Sequence, residues 1–363
     1  MVAPYTASYA SRIAKLRGHL KLEQGEAVLV TSLKDIRWLV GFSGSNAVIV
    51  IDRDGLLLVT DGRYAVQVGQ ECPGLDVKIT SGNAFASAID HVATEPVHTV
   101  HCQANHITWE QSQLTHSKLQ KADLQPLDDP LPEFRASKTE QEIRLIEEAL
   151  EITESVYEEC LGIIEDGMTE LDLAAELDYR QRIAGGQGQA FDTIVAFGEN
   201  AALPHARPSA RKLAKGDVIL MDFGCVVDGY HSDMTRTVFF GAPTDTIRMS
   251  YMAVKEALEA AAERASSGLI GATLDAVARD LLSRHGLGSF FQHSLGHGVG
   301  LDIHEFPTLS SRGASPIPDF SIITLEPGVY IPGEYGIRIE NMGLLSPDGC
   351  RILNRTPIDP IIL

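Results

Sequence analysis

Apolar residues recur at three- and four-residue spacing over several long stretches of the chain and at alternate positions over many short ones. This pattern predicts helices and strands in alternation. The longest helical pattern is "SKTEQEIRLIEEALEITESVYEECLGII" (137–164), with Ile143, Ile146, Leu150 and Ile152–Thr153 on its buried side. Ser137 or Thr139 is placed to cap it, and acids crowd its first turns, as the helix dipole favours. "GMTELDLAAELDYRQRIAGG" predicts a second helix with a glycine stop, and "DTIRMSYMAVKEALEAAAERAS" and "TLDAVARDLLSRHG" predict two more. In the first third, "SYASRIAKLRGHLKLEQG" has helical spacing. "AVLVTS", "NAVIVIDRDGLLLVTD" and "HTVHC" have the character of strands, with a hairpin turn at Asp54-Gly55.

These patterns divide the chain. Its 363 residues suit two domains, since single cores stop growing near about 250–300 residues. The first third predicts a small α/β domain. The proline- and acid-rich "LQPLDDPLPEFRASK" (124–138) reads as a linker, so the domains are expected at 1–130 and 131–363. The order helix–helix–strands occurs twice after the linker, which suggests a duplication. The overall class is α/β, with an α+β C-terminal domain.

Acids interrupt two of the apolar strands. In "DVILMDFGCVVDGYHSDMTRTVFF", Asp222 falls in the middle of a buried strand, where an unpaired carboxylate costs several kcal/mol. Asp228-Gly229 predicts a two-residue turn that pairs Val227 with Tyr230 and Asp222 with Thr235. Asp222 and Asp233 then share one face, about 7–8 Å apart. In "SIITLEPGVYIPGEYGIRIEN", a turn near Gly333 brings Glu326 opposite Glu340, with Arg338 on the same face. Taken singly, Asp233 and Glu340 could be solvated strand residues. Two acid pairs on two apolar hairpins call for a cation.

A third stretch, "FFQHSLGHGVGLDIHEFP" (290–307), holds His293, His297 and His304. Histidines four apart could grip a metal from a helix. Gly296, Gly298 and Gly300 oppose that, since each glycine costs a helix interior about 1 kcal/mol. Four carboxylates and one neutral imidazole carry about −4, which two divalent cations balance. Oxygen-rich ligation with one nitrogen suits Mn²⁺, Co²⁺ or Zn²⁺. Two such ions can bridge a hydroxide and polarise a carbonyl, which is hydrolase chemistry.

Composition narrows the partners. With 30 Lys+Arg against 49 Asp+Glu, the net charge is −19, which disfavours nucleic acid and anionic membranes. The five cysteines are scattered and form no C-x-x-C pair, pointing to a reducing cytoplasm rather than a disulfide framework. No signal-peptide core or transmembrane run is expected.

"MDFG…GYHSDMTRT", "HSLGHGVGLDIHE", "TLEPGVYIP" and "GIRIEN" resemble the metallopeptidase family of aminopeptidase P, prolidase and methionine aminopeptidase, with its pita-bread fold. "GFSGSNAVIVI" and "LLLVTDGRY" resemble the creatinase-type N-terminal domain of its proline-specific members. The resemblance implies that Asp222, Asp233, His297, Glu326 and Glu340 hold two metals, most simply Mn²⁺, with Asp233 and Glu340 bridging. It implies that Glu326 also moves a proton, that His205 and His304 assist the scissile group, and that His293, His304, Tyr330 and Arg338 belong to the substrate site. A homodimer and a peptide with proline at its second position follow from the same resemblance. The expected reaction is hydrolysis of an N-terminal Xaa-Pro bond. Alternatives are an Xaa-Pro dipeptidase, a non-catalytic peptide-binding member and a creatinase-like C–N hydrolase.

Other features carry less. His91, His98, His101, His106 and His116 fit no standard metal spacing. "AGGQGQAFD" lacks the lysine of a phosphate loop, and "GFSGS" lacks the last glycine of a nucleophile elbow. Arg63 could reach a partner subunit but reads more simply as a surface arginine. His231 should point away from the Asp222 face.

Overall fold

The computed structural model describes residues 6–363, and by its internal contacts the chain divides after Pro132. The first unit is built on strands Glu26–Val30 (β1), Ala47–Asp52 (β2), Leu56–Asp61 (β3), Asp76–Thr80 (β4), Thr99–Cys102 (β5) and Asp123–Pro126 (β6). They form one sheet in the order β4-β3-β2-β1-β5-β6. β2 runs antiparallel to β1 and β3, and the remaining pairs are parallel. Helices Thr6–Leu20 (α1), Leu33–Val40 (α2), Ala65–Glu71 (α3), Ala84–Val92 (α4) and Trp109–Lys118 (α5) connect them. Alternate strand residues Ala27, Leu29, Val48, Val50 and Val59 share a core with Phe85, Ala88, Ile89 and Val92 of α4.

Two expectations shift here. The β2–β3 turn is centred on Arg53-Asp54, one residue before Asp54-Gly55, because Ile51 pairs with Leu56. The Asp52 carboxylate accepts from Asp54 N (2.8 Å) and from Gly55 N, so this aspartate shapes the turn. The proline-rich 124–138 stretch is not irregular: it contains the edge strand β6 and a short helix, Leu131–Ala136 (α6). Pro126 sits last in its edge strand, where a missing N–H is tolerated.

The second unit opens with helices Glu140–Leu161 (α7) and Glu170–Ile183 (α8). Thr139, rather than Ser137, caps α7 through a capping box with Glu142. Its buried stripe follows the predicted face through Ile146, Leu150 and Thr153, then continues to Tyr157 and Cys160. Strands Ile194–Phe197 (β7), Val218–Phe223 (β8), Val226–Val227 (β9), Tyr230–His231 (β10) and Met234–Phe239 (β11) follow. Then come helices Asp245–Arg264 (α9) and Gly271–Arg284 (α10). The chain closes with Gly296–Gly298 (β12), Glu305–Leu309 (β13), Ile322–Leu325 (β14), Gly328–Ile331 (β15), Tyr335–Arg338 (β16), Asn341–Ser346 (β17) and Gly349–Ile352 (β18). Val254, Ala257, Leu258 and Ala261 of α9 and Leu274, Ala278 and Leu282 of α10 share one core with Ile323, Leu325, Ile337 and Ile339.

The two predicted hairpins are both present, and both split midway. Val227 pairs with Tyr230 and Asp222 with Thr235, the registers expected from Asp228-Gly229. Both turn residues have positive φ, 43° and 75°. Between the two ladders, Gly224 lies under the Ser232 carbonyl, where a Cβ would come within 1.9 Å. In the other hairpin, Leu325 pairs with Asn341 and Gly328 with Arg338, one register throughout. At the split the backbones turn to other partners. Glu326 N donates to Leu295 O (2.8 Å) and Glu340 N to Thr235 O (3.1 Å). Each split falls beside the acidic residues.

Candidate metal centre

β8 and the residues just before β11 and β17 each deliver one carboxylate to a single cluster. Ligand atoms of Asp222, Asp233 and Glu340 all lie within 4.8 Å of one another, and all three residues are buried. His297 on β12 closes the fourth side, with Nε2 3.7 Å from Asp233 Oδ2 and 3.4 Å from Glu326 Oε1. The five expected ligands therefore converge.

The glycines around His297 are explained by crowding. β12 pairs with β13 on one side and β14 on the other. A Cβ on Gly296 would meet Thr324 O at 2.0 Å, and one on Gly298 would meet Phe306 O at 2.3 Å. The histidine is thus held on a strand squeezed between two others. Its Nδ1 lies 3.1 Å from Gly298 O, a contact that places a proton on Nδ1 and leaves Nε2 facing the carboxylates.

Threonines hold the acids. Thr235 Oγ1 donates to Glu340 Oε2 (2.8 Å) and accepts from Arg338 Nε (3.0 Å). Thr324 Oγ1 donates to Glu326 Oε1 (3.2 Å) and accepts from His297 N (3.1 Å). Arg338 Nη2 donates to Asp222 Oδ2 at 2.5 Å. Neither threonine was singled out from the sequence. The signal was present, since Thr235 is the cross-strand partner of Asp222 and Thr324 precedes Glu326 by one strand period.

Electrostatics show a site short of positive charge. Burial, then the neighbouring carboxylates, raises Asp233 and Glu340 well above the usual carboxylate range. Burial also raises Asp222, although Arg338 opposes it. Burial alone would raise Glu326, but the hydrogen bond and charge of His297 pull its carboxyl down to about 2. Among the described residues, Asp222 Oδ1 and Glu340 Oε1 are buried with no hydrogen-bond partner. Orphaned, acceptor-only oxygens in a carboxylate cluster fit divalent cations, and the absence of thiolate favours a hard metal.

The remaining residues surround this cluster. His304 is exposed, and its ring centroid lies 4.3 Å from that of His297. His293 Nε2 lies 2.8 Å from the Tyr330 hydroxyl. Burial shifts His293 towards the neutral form. His205 sits in an exposed turn after Pro204, whose carbonyl accepts from Arg338 Nη1 (3.3 Å). Tyr330 and Arg338, expected in the substrate site, are 1% and 3% exposed. Tyr330 Oη accepts from Arg338 Nη1 at 2.6 Å, so the pair supports the site from beneath. His231 is turned away as expected, with Nδ1 2.9 Å from Gly300 O. In the first unit, His98 contacts Gln24 O, and Arg63 is held by Asp61 at 2.9 Å. The five N-terminal histidines enter no metal-like cluster among the described residues.

Comparison with known proteins supplies an independent reading. Residues 144–347 match the model of metallopeptidase family M24, and residues 12–137 match the creatinase/prolidase N-terminal domain. An uncharacterized peptidase, YqhT, of Bacillus subtilis is 32% identical over 97% of this chain and 100% of its own length. The solved structure of an Xaa-Pro dipeptidase from Bacillus anthracis superposes with a TM-score of 0.93 at 30% identity, covering 98% of this chain and all of that one. That of an X-Pro aminopeptidase from Thermotoga maritima gives 0.88 at 36% identity, covering 97% and 100%.

Proposed function

The chain belongs to metallopeptidase family M24, and from that membership we propose that it removes the residue before proline at a peptide N-terminus, acting as an Xaa-Pro aminopeptidase. The observation that carries this reading is the convergence of Asp222, Asp233 and Glu340 within 4.8 Å, with His297 and Glu326 against them. These five residues would hold two divalent ions, Mn²⁺ by preference over Co²⁺ or Zn²⁺. Bound there, the ions would supply Lewis acidity at the scissile carbonyl and lower the pKa of the attacking water.

The chain's own residues do the rest. Glu326, 18% exposed at its side chain, takes a proton on its carboxylate and returns it to the proline nitrogen as the C–N bond breaks. His205 and His304, both exposed, donate to the oxygen that gains charge in the transition state. His293, fixed by Tyr330, borders the proline ring.

The structural likeness to a dipeptidase favours the second reading, an Xaa-Pro dipeptidase. A dipeptidase must read the carboxylate that follows proline with a cation. Arg338, the cation packed against the metal carboxylates, is buried and committed to Asp222 and Tyr330. That supports a site for longer peptides. The five unpaired cysteines, four of them buried, support a reducing, cytoplasmic location. No helix among the described residues is long and apolar enough to cross a membrane. A homodimer is the proposed assembly, and light scattering tests it.

The deciding experiment is hydrolysis of an Xaa-Pro-Xaa tripeptide and an Xaa-Pro dipeptide by stripped protein reloaded with Mn²⁺, Co²⁺ or Zn²⁺. Tripeptide cleavage supports the aminopeptidase, and cleavage of the dipeptide alone supports the second reading. No cleavage of either with any metal, or full activity in a stripped Asp222→Ala variant, sinks both.

A further inference from the structure

Glu170, in the first turn of α8, is fully buried, and no catalytic role above uses it. Its Oε1 accepts from Phe197 N (2.8 Å) and Asn200 Nδ2 (2.9 Å). Its Oε2 accepts from Ser209 N (2.9 Å) and Ser209 Oγ (2.5 Å). One carboxylate therefore ties together both ends of the 198–208 segment, which carries His205. The α8 backbone adds to this clasp, with Glu170 N donating to Arg211 O (3.1 Å) and Leu171 N to Ser209 O (3.2 Å). The hydrogen-bond donors are all neutral. Several donors and a position at a helix N-terminus stabilise the buried charge.

Between the tied ends, the segment is pressed against β16, the strand that carries Arg338. Ala201 O lies so close to Gly336 that a Cβ there would come within 1.8 Å. Pro204 O accepts from Arg338 Nη1, the arginine that also holds Asp222. His205 itself is exposed, so its placement comes from this anchored backbone rather than from packing of its ring.

We infer that Glu170 is a positioning residue for peptide cleavage, clasping the 198–208 segment so that His205 is held at the metal centre. The inference rests on His205 acting on the substrate, as read above. A displacement of about 1 Å in such a group can cost about 100-fold in rate. Glutamine at 170 keeps the shape but turns an amide donor towards Ser209 or towards Phe197 and Asn200, and so opens one end of the clasp.

The test is a double-mutant cycle of Glu170→Gln and His205→Ala, reading kcat, KM, metal content and melting temperature. The expected result is a loss in kcat/KM of about 10-fold or more for Glu170→Gln, carried mainly in kcat, with metal content unchanged. In the His205→Ala background, the same substitution should cost less than about 2-fold, because its effect passes through that histidine. Equal losses in both backgrounds, or unchanged kcat/KM in Glu170→Gln, overturn the inference. Parental activity in His205→Ala alone overturns the reading of His205 instead, and is seen without any substitution at 170. If Glu170→Gln does not fold, Ser209→Ala, which removes one donor to the same carboxylate, takes its place in the cycle with the same expected coupling.

Discussion

The Asp222 carboxylate is divided between two environments: Oδ2 accepts from Arg338 Nη2 at 2.5 Å, while Oδ1 is buried with no hydrogen-bond partner. Arg338 is thus the resident cation among the metal carboxylates, and its removal should be felt most when the metals are absent. We expect Arg338→Met to destabilise the stripped protein by about 3–5 kcal/mol, as for other broken buried pairs. The loaded protein should lose less, since bound cations offset the same charges. Thermal unfolding with chelator and with Mn²⁺ measures the difference, and equal losses in both conditions would contradict it.

The pH dependence of stability should change sign with metal. Asp233 and Glu340 have carboxyls raised well above their usual range, by burial first and by neighbouring acids second. The stripped folded protein therefore keeps protons that the unfolded chain releases above about pH 4. Its stability falls as pH rises from there towards the raised folded values. Metals take the place of those protons, so the loaded protein should instead weaken on acidification. Melting temperatures between about pH 5 and 8, with chelator and with Mn²⁺, should slope in opposite directions. Parallel slopes would show that these two acids do not take up protons in the stripped state.

Tyr330→Phe removes the hydroxyl that accepts from Arg338 Nη1 and meets His293 Nε2 at 2.8 Å. The ring is buried, so packing is kept and the loss should be near 1–3 kcal/mol of stability. His293 then loses its anchor. We expect a higher KM for proline peptides with unchanged metal content. A lowered metal occupancy would instead place Tyr330 in the support of the ligands themselves.

Glu305 anchors the turn that carries His304. It is joined to Lys138 Nζ at 2.7 Å and to Arg135 Nη2 at 3.0 Å, all three side chains being nearly inaccessible. Glu305→Gln leaves the buried Lys138 short of a counter-charge, while Arg135 keeps Asp302 at 3.2 Å, and should cost about 3–5 kcal/mol. Chemical denaturation reads the loss directly. A cost below about 1 kcal/mol would mean that water reaches the cluster, as for a surface pair.

Much of this site was legible before the fold. The Asp228-Gly229 turn sets the pairing of Asp222 with Thr235, and the Gly333 turn sets a register that puts Glu326 opposite Glu340. Period-two alternation then places each acid on a face. Local chemistry decides these features, so a one-dimensional pattern contains them. The Asp54-Gly55 turn moved by one residue because the Asp52 side chain, not the glycine, directs that bend.

Other features depend on contacts between segments far apart in the chain. No local signal shows that Tyr330 and Arg338 lie beneath the site rather than at its surface, since their exposure depends on what β8, β11 and the Pro204 turn place over them. Nothing in the sequence marks Glu170, and folding made it a clasp by bringing Phe197, Asn200 and Ser209 to it. By itself the sequence determined which residues are chemically able to hold metal and which turns present them. Tertiary structure alone decided which polar atoms are satisfied and which are left bare, because hydrogen-bond satisfaction is a property of the assembled interior.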